Sequence, residues 1–193
     1  MLSWLRTRAA RREMAADLYG AVVAQARAPA FYATLDIPDT PEGRYEMVVL
    51  HLVLVLERLR ADGEAGKAPS RELIETFVAD MDGSMREMGI GDLTVPKKVK
   101  GAAAGLYGRA EALRAGMATG AAPGGLEAAI TRLTLGREDG AADARAMPLA
   151  RYYRASAAAL AGQSSADVLA GRLAFPAVAP IAAAGAADET GGG

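Results

Sequence analysis

The chain has 193 residues, a formal net charge of −1 and 51% apolar residues, yet only 5% of its residues are aromatic. This length can bury one sizeable core, and a composition rich in alanine but poor in aromatic residues favours packed helices over sheets. The sequence has no cysteine and a single histidine, His51, which excludes disulfides and thiolate chemistry and makes a Ser-His-Asp triad or a multi-histidine metal centre very hard to build.

The first 27 residues predict a helix that begins with a strongly basic segment. Four of the first twelve residues are arginines, and no acidic residue accompanies them: Arg6, Arg8, Arg11 and Arg12. Such a start is typical of a transit peptide, of an interfacial helix or of a plain solvated face. The run continues directly into a helical pattern that contains Glu13 and Asp17. We therefore interpret residues 1–16 as the basic start of an uncleaved helix, with these arginines as candidates for a membrane or RNA contact.

Residues 44–60 are predicted to form the central helix of the fold. Within residues 47–56 only His51 is polar, and ten residues are too few to span a bilayer. A buried parallel strand is the alternative that the valines allow. A capped start, with Asp39 or Thr40 before Pro41, and a stop at Asp62-Gly63 favour the helix. His51 is then expected to be a hydrogen-bonded core residue, with a haem ligand as the alternative.

The stretch from Asp80 to Lys100 is predicted to be a corner between two helices, acidic on entry and basic on exit. A loop at residues 63–69 precedes the first helix, which Ser70 opens, and Pro96 starts the second. The DMDGS segment lacks the alternating ligands of a calcium loop, so pairing and capping are the expected roles of its aspartates. The residues expected to fix the corner are Asp80, Asp82, Arg86, Glu87, Gly89 and Gly91.

The rest of the chain predicts further helices and a low-complexity end. Residues 96–117 form a helix in which Gly101, Gly105 and Gly108 would allow another helix to approach closely. Helices at 126–135 and 144–162 follow, and residues 173–193 are expected to be a disordered tail. The fold predicted is all-α: one helical bundle, residues 17–172, around a buried central helix.

No pattern of catalytic residues is present in the sequence. No phosphate-binding glycine loop follows a strand, and no nucleophile has a plausible base. We therefore predict no enzymatic activity, no cofactor, no metal site and no small-molecule substrate, which leaves an interaction function.

Two blocks of motifs make the interaction function more specific. The first block carries Asp39-Thr40, Gly43-Arg44 and Leu50-His51. The second carries Asp80-Met81-Asp82, Arg86-Glu87-Met88-Gly89, Gly91-Asp92, Val95-Pro96-Lys97, Lys100 and Tyr107-Gly108-Arg109. With these motifs the chain resembles the ubiquinol–cytochrome c chaperone family, the assembly factors of the cytochrome bc complex (respiratory complex III), over roughly residues 17–155. It departs from that pattern after Lys100, where Gly-Ala-Ala-Ala-Gly replaces bulkier residues.

The resemblance implies a non-enzymatic chaperone that binds newly made cytochrome b, in mitochondria near the ribosomal exit and with a small accessory subunit. Ribosomes and anionic membrane surfaces are further expected partners. The composition suggests a bacterial protein in the cytoplasm, peripheral to the inner membrane; a eukaryotic one would be mitochondrial. The methionines of the corner form an adaptable apolar surface or are ordinary core residues. The candidates for partner binding are Met81, Met85, Met88, Asp92, Lys97, Lys98, Lys100 and Arg109. The alternative function is a peripheral membrane- or ribosome-binding adaptor unrelated to respiration.

Overall fold

The computed structural model describes residues 2–136 and 143–178, with side chains from Arg6 onwards. Within these ranges the chain forms eight α-helices and no strand. In chain order they are α1 (Leu2–Ala26), α2 (Pro29–Ala33), α3 (Pro41–Ala61), α4 (Glu64–Glu87), α5 (Val95–Met117), α6 (Gly125–Leu133), α7 (Ala146–Ala161) and α8 (Ser165–Leu169). The all-α prediction is confirmed.

Helix α3 is the centre of the bundle. Its start is fixed by Thr40, whose side-chain Oγ1 accepts a hydrogen bond from the Gly43 amide at 3.1 Å, and by Pro41 in the first turn. Every residue in 47–55 is buried, and α1, α4, α5 and α7 all pack against the helix. The uninterrupted apolar run is therefore a helix enclosed on all sides, as the sequence predicts.

Two glycines let the backbone pack against the ends of α3. A Cβ on Gly43 would lie 2.0 Å from the carbonyl oxygen of Pro38, and a Cβ on Gly66 would lie 1.8 Å from that of Leu59. The connection before α3 and the first turn of α4 thus lie directly on α3. Any side chain at position 43 would collide with Pro38, which explains the glycine of the Gly43-Arg44 motif.

Helix α4 begins at Glu64, so the predicted loop at residues 63–69 is wrong. Pro69 lies inside the helix, where it removes one backbone hydrogen bond. The first turn of α4 also makes a tertiary contact: Gly66 packs on Leu59 at the end of α3. The loop is predicted from Gly63 and Pro69 alone, and a contact with α3 cannot be read from these two residues.

The C-terminal part of the described chain is more ordered than its composition predicts. Ser164 caps α8 by accepting a hydrogen bond from the Asp167 amide at 3.1 Å. Beyond α8, Leu173, Phe175 and Val178 pack against the core, whereas the composition predicts a disordered tail from residue 173. The remainder of that expected tail, residues 179–193, lies outside the described residues. Among the helices that are described, none has the length and apolar content to cross a bilayer.

Candidate partner-binding arm

The end of α4 and the start of α5 form a sparsely packed hairpin of helices, residues 78–105, which we call the arm. Beyond Phe77 no residue of α4 is fully buried, and in α5 only Val95 is buried before Leu106. By contrast, α3 buries nine consecutive residues, 47–55. An element with so few buried apolar contacts has low local stability and adapts easily to a partner.

The tip of the arm turns through Gly89. This glycine has φ +76°, in the left-handed region that follows many helix ends. Its amide donates to the Arg86 carbonyl at 2.9 Å, and the Ile90 amide donates to the Met85 carbonyl at 3.1 Å. The Gly91 carbonyl accepts from the amides of Thr94 and Val95, at 2.8 and 3.2 Å. The two glycines therefore hold the end of α4 and the start of α5 by backbone geometry.

Three acidic residues of the arm form ion pairs or hydrogen bonds with neighbouring side chains. Arg86 Nε lies 2.7 Å from Asp82 Oδ2, and the same guanidinium also contacts Asp92. The Tyr19 hydroxyl of α1 donates to Asp80 Oδ2 at 2.8 Å, and burial together with this carboxylate raises the pKa of Tyr19. The pairs of Arg86 are exposed to solvent, which screens them, so they contribute little to stability. Their main effect is to orient the tip.

Arg109 lies at the base of the arm and not on its outer face. Its Nε and Nη2 donate to the two carboxylate oxygens of Glu46, at 2.9 and 2.5 Å, and the guanidinium lies 5.8 Å from the centre of the Tyr45 ring. This bidentate pair joins α5 to the central helix. The structure therefore places Arg109 in the scaffold that carries the arm.

The apolar residues of the arm become more exposed toward its tip. Met81 packs against the edge of the core, Met85 is half-buried and Met88 is 60% exposed. Leu93 is 99% exposed and Tyr107, two residues beyond the arm, is 63% exposed. Sequence reasoning missed the last two. The available signal was a lone leucine in a polar turn, which has no helical period to place it on a face.

The basic residues that follow the tip are free in the part of the chain that the structure describes. Lys97, Lys98 and Lys100 are exposed, and no ion pair is formed by any of them within the described ranges. The glycines beside them also face outward, because a Cβ on Gly101 or Gly108 would meet nothing within 4 Å. The close helix approach expected at these glycines occurs instead at Gly116, where a Cβ would lie 2.7 Å from Leu126 Cα of α6.

The basic start of α1 is a second exposed surface. All residues in 6–13 are exposed, including Arg6, Arg8, Arg11 and Arg12, and Ala15 is the first buried residue of the described side chains. This part of the helix carries no buried apolar face of its own.

His51 is a buried member of a polar network. Its Nδ1 donates to the Met47 carbonyl at 2.8 Å, and its Nε2 accepts from the Tyr152 hydroxyl at 2.8 Å. Gln25 Nε2 donates to the same hydroxyl oxygen at 3.0 Å. Burial lowers the pKa of His51 to about 4, so the ring is neutral. Both ring nitrogens are already bonded, which leaves neither for haem iron. No cluster of three or more potential metal ligands lies within the described residues.

Comparison with known proteins agrees with the motifs. The family model described as "Ubiquinol-cytochrome C chaperone" matches residues 33–175. Among solved structures, the crystal structure of the Cbp3 homolog from Brucella abortus is similar, with 34% sequence identity and a TM-score of 0.75. That match covers 92% of this chain and 98% of the other. A comparison with curated proteins gives no match.

Proposed function

This chain belongs to the ubiquinol–cytochrome c chaperone family and is an assembly chaperone of complex III; we propose that its client is cytochrome b and that the arm binds this client. The observation that carries the proposal is the exposure of Met88 and Leu93 at the tip of a sparsely packed arm. Exposed apolar side chains grouped on one protrusion mark interaction sites.

The chemistry of the arm suits a client made of transmembrane helices. Such a client presents apolar side chains that must be covered until assembly. Methionine fits irregular apolar surfaces because its side chain is unbranched and polarisable. Low local stability lets the two helices of the arm shift to follow the client surface. An apolar tip on an adaptable hairpin is thus a suitable receiver for a membrane protein.

The exposed basic residues suit the place where such a client is made. Lys97, Lys98 and Lys100 follow the tip directly, and the arginines of α1 form a second basic surface. Both attract phosphate groups, whether of anionic lipids or of ribosomal RNA. We infer a location at the cytoplasmic face of the inner membrane, where a ribosome and its membrane-protein product meet.

The role is that of a non-enzymatic assembly factor. The histidine is neutral and fully bonded within the core, and the exposed carboxylates Asp82 and Asp92 are paired with one arginine. The lysines that flank the apolar tip are exposed to solvent, and no desolvated pocket or neighbouring base is there to activate them in the part of the chain that the structure describes.

Co-purification from membranes of a cell that contains the bc complex tests the client. The tagged chain is expected to recover cytochrome b, and Leu93→Asp is expected to reduce the recovery at least about fivefold, because the change places a charge in an apolar contact. Met147→Asp is the matched control, since Met147 is 55% exposed but lies on α7. Equal recovery by both variants would contradict a role for the tip.

The alternative, an electrostatic adaptor unrelated to respiration, rests on the exposed arginines of α1. It predicts that binding to ribosomes or anionic vesicles is lost when Arg6, Arg11 and Arg12 are changed to Glu. Under the alternative, complex III levels in cells remain normal when the chain is deleted. The chaperone proposal predicts that they fall.

A further inference from the structure

The last described residues form a non-helical segment that lies over His51, and we call the surface beneath this segment the cleft. We call residues 172–178 the strap. It begins after Gly171, which has φ +69° and packs so closely on α1 that a Cβ would lie 3.0 Å from the Asp17 carbonyl oxygen. Three of its side chains, Leu173, Phe175 and Val178, pack half-buried against the core.

The floor of this cleft is aromatic and polar. The Phe175 ring lies edge-on to His51 at a centroid distance of 5.3 Å. His51 and Tyr152 are hydrogen-bonded there, with Gln25 as the third member of the network. Phe31 contacts both rings, at 5.3 Å from His51 and 5.0 Å from Tyr152. The cleft therefore lies over α3 and takes side chains from α1, α2 and α7.

The Gln163 side chain holds the backbone of the strap at two points, and at the start of the strap the Arg172 amide donates to the Asp167 carbonyl at 3.0 Å. Gln163 Nε2 donates to the Arg172 carbonyl at 3.0 Å, and Gln163 Oε1 accepts from the Ala174 amide at 3.1 Å. This pair of bonds matches one donor and one acceptor of any extended chain, independent of its side chains. From Phe175 to Val178 no backbone amide bonds to another backbone group in the described part of the chain.

The hold on the strap is weak compared with the rest of the fold. The segment has no helical hydrogen bonds and no strand partner, and its alanine- and proline-containing sequence does not favour order by itself. Its position depends on three half-buried side chains, on Gln163 and, at its first residue, on the bonds of Arg172 to Asp167. A competing segment with a better apolar fit can therefore replace it.

We propose that the cleft beneath the strap is a binding groove for an extended apolar segment of a partner protein, which the strap occupies in cis and the partner segment displaces. The seated strap defines what the groove accepts: an extended backbone at Gln163 and an aromatic side chain against His51. The source of the segment rests on the proposed function, because an incompletely assembled membrane protein exposes such segments. The groove itself does not rest on it.

Peptide binding to the full chain tests the groove. The probe is a fluorescent peptide of residues 172–178, RLAFPAV, measured by anisotropy. The Phe175→Ala chain, whose own strap is weakened, is expected to bind it at least tenfold more tightly than the unaltered chain and a Met147→Ala control. A peptide with alanine in place of phenylalanine is expected to bind at least tenfold more weakly. Equal binding of the probe by all three chains overturns the proposal.

The only histidine of the chain reports where the peptide binds. Its NMR ring signals are expected to shift when the probe is added to the Phe175→Ala chain, since the peptide phenylalanine then packs against His51. Binding without such a shift places the peptide elsewhere and overturns the groove. If Phe175→Ala loses its helical circular dichroism, Leu173→Ala serves the same test, because it removes a different anchor.

Two further outcomes separate the groove from the client and from self-association. If the tagged, unaltered chain recovers no cytochrome b from cells but the peptide still binds as expected, the proposed client is contradicted and the groove is not. Conversely, cytochrome b recovery without peptide binding contradicts the groove alone. A dimer of the unaltered chain that the probe peptide dissociates, seen by light scattering, assigns the groove to the strap of a second copy and overturns the partner assignment.

Discussion

His51 shows at the scale of one residue how a buried polar group makes stability depend on pH. Its folded pKa of about 4 is below the ordinary value of 6.5, because burial disfavours the charged ring. The unfolded chain therefore binds a proton first as the pH falls. The stabilising contribution of the neutral ring is complete above pH 6.5 and is lost as the pH falls toward 4.

Denaturant unfolding of the unaltered chain and of His51→Gln measures this effect. Between pH 6.5 and 5 the unaltered chain is expected to lose about 1.5 kcal/mol more unfolding free energy than the variant, because the slope approaches about 1.4 kcal/mol per unit of pH only below the unfolded pKa. Comparing the two chains cancels the titration of carboxylates such as Asp39 and Asp62, whose pKa values are lowered by neighbouring arginines. Parallel pH profiles would refute a buried neutral histidine.

Glycine positions give a second test at the residue scale. Gly43→Ala is expected to destabilise the fold by about 2–3 kcal/mol, because its Cβ would lie 2.0 Å from the Pro38 carbonyl oxygen. Gly20→Ala is the control: this helical glycine has nothing within 4 Å, and alanine there is expected to stabilise by about 0.5–1 kcal/mol. Thermal melts of both variants measure the difference. If both changes shift the melt in the same direction, the close packing at Gly43 is wrong.

At the scale of elements, the arm differs from α3 in how much its helices bury. The arm has one fully buried residue, whereas α3 is buried throughout 47–55. Amide hydrogen exchange is therefore expected to be about 100-fold faster or more in residues 96–105 than in residues 47–55. Equal protection of the two segments would mean that the arm is as rigid as the core and would remove the argument for adaptability.

The lysine charges of the arm are expected to affect client binding alone, whereas the backbone turn at Gly89 is expected to affect both binding and folding. Changing Lys97, Lys98 and Lys100 to Glu is expected to weaken client recovery with no loss of helical circular dichroism, because all three are exposed. Gly89→Val is expected to lower both, since valine is strained at φ +76°. Lys67→Glu, an exposed lysine on the body of α4, is the charge control. Similar losses of helix in the triple-lysine variant and in Gly89→Val would refute this division.

The sequence is a good guide to these elements where the signals are local. The helix start at Asp39 or Thr40, the apolar run around His51 and the glycine at 89 each predict what the structure contains, with Thr40 as the cap. It fails where a distant contact decides. Helix α4 starts early because Gly66 lies on Leu59, and the strap is ordered because Phe175 reaches His51 across the fold. Neither contact has a signal in neighbouring residues.

For the candidate site, too, the sequence predicts the local contacts and misses those that depend on the tertiary structure. The charged residues of the corner lie near one another in sequence, and the structure brings Asp82, Arg86 and Asp92 together. The roles of Arg109 and Leu93 depend on exposure, which sequence spacing does not give. Arg109 is bound to Glu46, 63 residues away, while Leu93 has almost no cover.

At the scale of the whole molecule, a well-packed core carries two candidate binding surfaces, one exposed and one covered. The arm presents apolar side chains and lysines to the outside, and the cleft under the strap is covered by the chain itself. A family of complex III assembly chaperones needs a fold that remains intact while it holds and releases a client. The enclosed α3 supplies that stability, and we propose that the loosely packed arm and strap are the parts that adapt to the client.

Site-specific photo-crosslinking in cells tests the central claim most directly. A photoreactive amino acid at position 93, at the tip of the arm, is expected to form an adduct with cytochrome b while the bc complex is being made. The same amino acid at position 147, on exposed α7, is expected to give none. Equal adducts from both positions, or an adduct from position 147 alone, would contradict the claim that this chaperone binds cytochrome b through its arm.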